Sequence, residues 1–191
     1  MNIGLFFGSF NPIHIGHLII ANIAVQSADI QKVCFVISPQ NPFKKSKGLL
    51  HEFDRYDLVQ RAISDNPKFM LSDVEFNLPK PSYTIDTLSV LQQKFPQDSF
   101  QLILGEDNLE HFTKWKEYQK ILDNFGLLVF PRPNSQIDKK IENSPNIRKI
   151  NAPLLDISAT FIRNAIKNNQ SIKYLVTENV EQMILSKRFY T

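Results

Sequence analysis

Short apolar runs rich in β-branched and aromatic residues recur along the chain, separated by longer segments whose apolar residues repeat at helical spacing. The runs at residues 3–7, 32–37, 69–74, 100–104, 126–130 and 148–150 read as strands. The segments at 16–28, 53–64, 85–94, 117–124, 160–168 and 179–186 read as amphipathic helices, the last two making the C-terminal part helical. Strands and helices that alternate in this way are joined by right-handed crossovers, so the expected fold is α/β: a doubly wound parallel sheet with helices on both faces. Ligands of such sheets sit beyond the C-terminal ends of the strands, so chemistry is sought in the residues that follow each run.

A chain of 191 residues suits one domain spanning 1–191, which can bury roughly 70% of its unfolded surface without a disulfide or structural metal. Apolar residues at 42%, charged residues at 21% and 15 Phe supply an ordinary globular core. The N-terminus, Met-Asn-Ile-Gly-Leu-Phe-Phe, has neither a basic segment nor a small-residue cleavage site, and no run of about 18 apolar residues occurs, so a cytoplasmic protein without a membrane partner is expected. Cys34, inside Val33-Cys34-Phe35-Val36-Ile37, reads as a buried, inert thiol. The net charge of +3 is spread along the chain, which demands no nucleic-acid partner but suits phosphates on a small ligand. A homo-oligomer is left open. Residues 131–147, rich in Pro, Asn, Ser and Lys, read as a surface excursion.

Three of the six glycines, Gly4, Gly8 and Gly16, fall in the first sixteen residues, around the end of the first strand. Gly8 would let the backbone approach a ligand, and Gly16 sits between His14 and His17 at a helix start whose free N–H groups favour an anion. The spacing matches neither of the common glycine-rich phosphate loops. The two histidines have three readings: ordinary surface or capping residues, a zinc pair lacking a third ligand at suitable spacing, or imidazoles that donate to a phosphoryl group as charge develops on it.

Five later segments are candidates, most with both a bland and a functional reading. Lys44, Lys45 and Lys47 follow the second strand, as a solvated charge run or as cations for a phosphorylated substrate. Thr84 reads as the N-cap of the third helix, with Asp86 favourable in its first turn. Asp107, just past Gly105 at the end of the fourth strand, is an N-cap or a partner for ribose hydroxyls. Trp115, the single Trp, is a core residue or a stacking surface for a flat base. Near the C-terminus Ser158 reads as an N-cap, and Thr160 and Arg163 share one helical face. Together these make either a capped helix with a surface arginine or a clamp for the β and γ phosphates of a nucleotide.

The segment Gly8-Ser9-Phe10-Asn11-Pro12-Ile13-His14-Ile15-Gly16-His17 is similar to the signature of the HxGH nucleotidyltransferase superfamily. Ser82-Tyr83-Thr84-Ile85-Asp86-Thr87, Gly105-Glu106-Asp107, Trp115-Lys116, Arg132-Pro133 and Ile157-Ser158-Ala159-Thr160-Phe161-Ile162-Arg163 narrow the resemblance to the bacterial nicotinate-nucleotide adenylyltransferases. Departures are Asn11 where that family usually has Asp, Phe43 for a His, Ala159 for a Ser, Asn134 for a Gly and Thr177 for a Pro. The resemblance runs from Gly8 to about residue 184 and implies a Rossmann-like fold. It further implies transfer of AMP from ATP, accompanied by Mg²⁺, to nicotinate mononucleotide, giving deamido-NAD and pyrophosphate. On the same resemblance His14, His17 and Arg163 are catalytic, and ATP is held by Gly8, Ser9, Phe10, His14, His17, Gly105, Asp107, Arg132, Ser158, Thr160, Phe161 and Arg163. Lys44, Thr84, Trp115 and Lys116 would meet the mononucleotide. Other expectations compatible with these residues are nucleotidyl transfer to nicotinamide mononucleotide, phosphopantetheine or an alcohol phosphate, and a regulator that binds nucleotide without chemistry.

Overall fold

Hydrophobic alternation within the strands decides which helix lies on which face. In β2 (Lys32–Ile37) of the computed structural model, Val33, Phe35 and Ile37 point into one core cluster and Cys34 and Val36 into the other. The structure describes residues 1–27, 29–40, 48–133, 135 and 137–191. Its six strands are β1 (Asn2–Gly8), β2, β3 (Phe69–Ser72), β4 (Ser99–Gly105), β5 (Leu127–Phe130) and β6 (Ile147–Lys149). All pair in parallel, in the order β3-β2-β1-β4-β5-β6.

Among the described residues six α-helices accompany them: α1 (Ile15–Ser27), α2 (Glu52–Ile63), α3 (Thr84–Lys94), α4 (Tyr118–Phe125), α5 (Ala159–Lys167) and α6 (Glu178–Lys187). Core residues of α1, α2, α5 and α6 join Phe6, Phe35 and Phe130 on one face of the sheet. Those of α3 and α4 join Leu5, Leu102 and Val129 on the other. This is the doubly wound, Rossmann-like arrangement that the alternation implies, and every expected strand and helix is present within a few residues. The third strand is shorter than expected: it ends at Ser72, and Val74–Asn77 forms a short 3₁₀ turn. The excursion at 131–147 is tethered by Ile141, which is buried, and by the Thr113 hydroxyl, which donates to Asp138 at 2.7 Å.

Strand order reverses between β1 and β4, and a crevice forms at such a switch point beyond the carboxyl ends of the strands. Register sets Phe6 beside Ile103 and Gly105 beside Phe130, so the segments after β1, β4 and β5 emerge side by side. Cys34 lies in the core, where burial pushes its thiol up to about 12, as an inert cysteine requires. Among the described residues no helix is long and apolar enough to cross a membrane.

Candidate active site

The turn after β1 carries both histidines into the crevice. Helix α1 starts at Ile15, so His14 stands just before it and His17 in its first turn, where the His17 N–H returns to the His14 carbonyl at 2.9 Å. The two rings stack with centroids 3.7 Å apart. The His14 N–H donates to His17 Nδ1 at 3.2 Å, so a neutral His17 carries its proton on Nε2. Phe10 and Phe6 brace the His17 ring, with centroids at 5.1 and 5.9 Å. His14 is buried, which rules out the surface reading, and burial together with the positive charge of Arg132 lowers its pKa to about 4. It is therefore neutral at pH 7, and its Nδ1 lies buried without a hydrogen-bond partner. The imidazoles lie ring over ring, an arrangement that does not converge two ring nitrogens on one tetrahedral metal.

Two residues of this turn also serve the core. The ring of Phe10 is 2% exposed and packs against Phe6 and Phe35, so its side chain supports His17, and any contact of Phe10 with a ligand is left to its backbone. That ring also fills the space over Gly8, where a Cβ would come 2.8 Å from it.

The ends of β4 and β5 supply the next groups. Gly105 precedes a short 3₁₀ turn, Glu106–Asn108, so Asp107 is not an N-cap. Asp107 Oδ1 lies 3.8 Å from Arg132 Nε, and a Cβ on Gly105 would overlap that carboxylate and press on Arg132 at 3.2 Å. Arg132 follows β5, covers the Phe130 ring at 5.2 Å and donates to the Leu155 carbonyl at 3.4 Å. A cleft lined by His14, Gly16, His17, Arg132, Leu155 and Ile157 results.

From the far end of the chain, α5 closes the same region. Ser158 caps it by accepting from the Phe161 N–H at 3.2 Å, as the sequence suggests. Arg163 Nη2 donates to Thr160 Oγ1 at 3.1 Å and Nη1 to the Asn11 carbonyl at 2.7 Å, so Arg163 is fixed against the histidine turn and is not a loose surface residue. The Phe161 side chain is exposed. Ser9 enters through its carbonyl, which accepts from Arg55 at 2.6 Å.

Among the residues expected to meet the mononucleotide, Lys44 lies outside the described residues. Thr84 is not the N-cap of α3: Tyr83 holds that position and Thr84 opens the helix. Lys116 reaches the same turn, bonding Asp86 at 2.9 and 3.0 Å and covering the Tyr83 ring at 4.9 Å. Trp115 is half-buried on the second core cluster, its ring 5.3 Å from that of Phe112, so it serves the core and still presents an edge.

Several organising residues lie outside the candidate site named from sequence. Arg55 is fully buried and donates to four carbonyls, those of Ser9, Ser38, Pro39 and Leu50. Its spacing with Leu58, Val59 and Ala62 on the apolar face of α2 is a signal that could have found it. Asn11 uses its side chain to bind Gly48, Leu50 and Tyr190. Buried Glu75 accepts from Ser82 and Thr87. For Tyr190 and Glu75 neither periodicity nor motif gives notice, and the motif that contains Asn11 gives no sign of these partners.

The chain matches a cytidylyltransferase-like family model over residues 5–165. It is 56% identical over 191 residues to a protein of Cytophaga hutchinsonii named "Probable nicotinate-nucleotide adenylyltransferase", covering 100% of this chain and 99% of the relative. A protein of the same name from Flavobacterium psychrophilum is 49% identical with the same coverage. Among solved structures, nicotinic acid mononucleotide adenylyltransferase of Plasmodium falciparum complexed with NaAD shares the fold, with a TM-score of 0.83, 23% identity and coverage of 99% of this chain and 97% of that one. Two histidines stacked at the switch point, an arginine from α5 locked onto their turn, and identity sustained from end to end lead to one assignment: the chain belongs to the nicotinate-nucleotide adenylyltransferase family.

Proposed function

We propose that this chain, working in the cytoplasm as one nucleotidyltransferase domain, transfers AMP from ATP to nicotinate mononucleotide. A phosphate oxygen of the mononucleotide attacks the α-phosphorus of ATP, the bond from that phosphorus to the bridging oxygen breaks, and pyrophosphate leaves with the electron pair. The attacking oxygen is already anionic, so neither a general base nor a covalent nucleophile is required, and catalysis comes from positioning and charge. His17 donates from Nε2 to the transferring phosphoryl group, the tautomer fixed by its Nδ1 bond. Neutral His14 assists at the α and β phosphates without adding a charge of its own. The capped start of α5, with Ser158, Thr160 and Arg163, takes the β and γ phosphates, while Gly105, Asp107 and Arg132 border the nucleoside.

Thr84, Trp115 and Lys116 meet the mononucleotide, Trp115 at the ring, with Lys44 as the expected phosphate partner. Arg132 is the charged side chain in the lining of the cleft, and Mg²⁺ arriving with the triphosphate would supply further neutralisation of the charge on the leaving pyrophosphate. The observation that carries the reading is the Arg163 bond to the Asn11 carbonyl, which brings both halves of the nucleotide cradle to one place. Pyrophosphate release from purified protein, measured side by side with nicotinate mononucleotide, nicotinamide mononucleotide and phosphopantetheine, tests it. Turnover is expected to be fastest with the acid mononucleotide; no release with any acceptor would mark a binding protein without chemistry.

A further inference from the structure

Glu75 is a carboxylate that no step above uses, and it is 2% exposed. Burying a carboxylate is costly unless its oxygens are satisfied. Here the partners are hydroxyls: Ser82 Oγ donates to Oε2 at 2.7 Å and Thr87 Oγ1 donates to Oε1 at 2.9 Å, and the nearby Ser38 hydroxyl also favours the charged carboxylate. Burial raises the Glu75 pKa, and the three hydroxyls pull against that rise. An apolar side chain would fill this space at lower cost, so the polar network specifies geometry.

The geometry it specifies is local. Ser82 and Thr87 bracket the turn that carries Tyr83, Thr84 and Asp86, the last holding Lys116. Ser38 follows β2 directly and is tied to β1 through its N–H bond to the Gly8 carbonyl at 2.9 Å. We propose that Glu75 is a positioning residue for the acceptor, its carboxylate joining the turn after β3 to the first turn of α3 and fixing the wall against which the mononucleotide lies. The inference rests on the placement of that mononucleotide beside Thr84 and Trp115. With 2% exposure Glu75 does not touch substrate, and it acts through the turn it holds.

The test measures KM for both substrates in Glu75→Ala, Glu75→Gln and Thr87→Val, with Trp115→Ala as the acceptor-side control and thermal melting to verify folding. Glu75→Ala is expected to raise the acceptor KM about tenfold while ATP KM stays within about twofold. Glu75→Gln should recover most of the loss, because its carbonyl keeps one hydroxyl and its amide can donate to Thr87 Oγ1, which then turns to the Tyr83 carbonyl at 3.4 Å. If Glu75→Ala does not fold, Thr87→Val decides, since it removes one tie and keeps the shape. Equal rises in both KM values, or an unchanged acceptor KM in folded variants, overturn the inference. Should Trp115→Ala impair the acceptor while the Glu75 and Thr87 variants do not, the inference alone fails. A wild-type chain that does not turn over nicotinate mononucleotide overturns the functional reading and this inference together.

Discussion

Arg163 and Asn11 stand 152 residues apart, and Arg163 Nη1 donates to the Asn11 carbonyl at 2.7 Å while Nη2 holds Thr160 Oγ1. One planar guanidinium thus locks the start of α5 onto the turn that carries both histidines, with donors left over for phosphate.

Arg163→Lys keeps the charge but cannot make both bonds from one rigid fork. We expect kcat to fall about tenfold or more, and Arg163→Ala to fall further. Pyrophosphate-release kinetics check this, and a lysine variant with wild-type kcat would show that charge alone suffices.

His17 accepts the His14 N–H on Nδ1, which directs its Nε2 proton outward for donation. His17→Ala is expected to lower kcat about 10²-fold or more with smaller changes in either KM, the pattern of a contact made mainly in the transition state. A variant that melts like wild type yet keeps near-normal kcat would remove His17 from the chemistry.

His14 ionises at about 4 in the folded chain, against an ordinary value of 6.5. Between these pH values the unfolded chain binds a proton that the folded chain refuses, so the stability from a neutral His14 is complete above the ordinary value. It is lost as pH falls toward the folded value, by about 3 kcal/mol in all. Urea unfolding at pH 7.5 and 4.5 should therefore show a larger acid loss in wild type than in His14→Gln, by about 2 kcal/mol. Parallel losses in the two proteins would contradict a neutral, buried His14.

Gly105 is kept free of a Cβ by its neighbours. An alanine there would displace the Asp107 carboxylate from its place 3.8 Å from Arg132 Nε. Because the displaced atoms end a short mobile side chain, the expected cost falls on ATP and not on folding: ATP KM several-fold higher, acceptor KM and melting temperature near wild type, on the order of 1 kcal/mol in binding. An unchanged ATP KM in Gly105→Ala would separate Asp107 from the nucleoside.

Local pattern carried the fold. Alternating residues such as Val33, Cys34 and Phe35 specify which side of the sheet each packs on, and the His14 and His17 turn, Ser158 and Arg163 were visible as contiguous motifs. What escaped has a common physical cause: polar residues whose partners are distant in sequence carry no periodic signal. Asn11 meets Tyr190 across 179 positions, and Arg55 meets Ser9 across 46. The packing of the Phe10 ring is illegible for a related reason, since membership of a functional motif says nothing about whether a ring turns outward or into the core, where this one lies.

The tail offers the last test. Tyr190 is the penultimate described residue, φ is 66°, and its hydroxyl donates at 2.9 Å to Asn11 Oδ1, which also accepts the Leu50 N–H at 3.2 Å. Burial pushes the phenol pKa above its ordinary range, so the hydroxyl stays protonated and serves as a donor. Asn11 Nδ2 donates in turn to the Gly48 carbonyl at 3.0 Å, a bond that the carboxylate oxygen of an Asp could not make. Tyr190→Phe removes the hydroxyl and keeps the ring. The expected cost is about 1 kcal/mol in stability and a few-fold drop in kcat, since Asn11, whose backbone carbonyl receives Arg163, loses one of its side-chain anchors. Removal of residues 189–191 should do more damage, because Phe189 and Tyr190 also pack against the core. If Tyr190→Phe loses stability but keeps full kcat, the tail is a fold anchor alone and the catalytic turn is held by Arg163 and the contacts at Gly48 and Leu50.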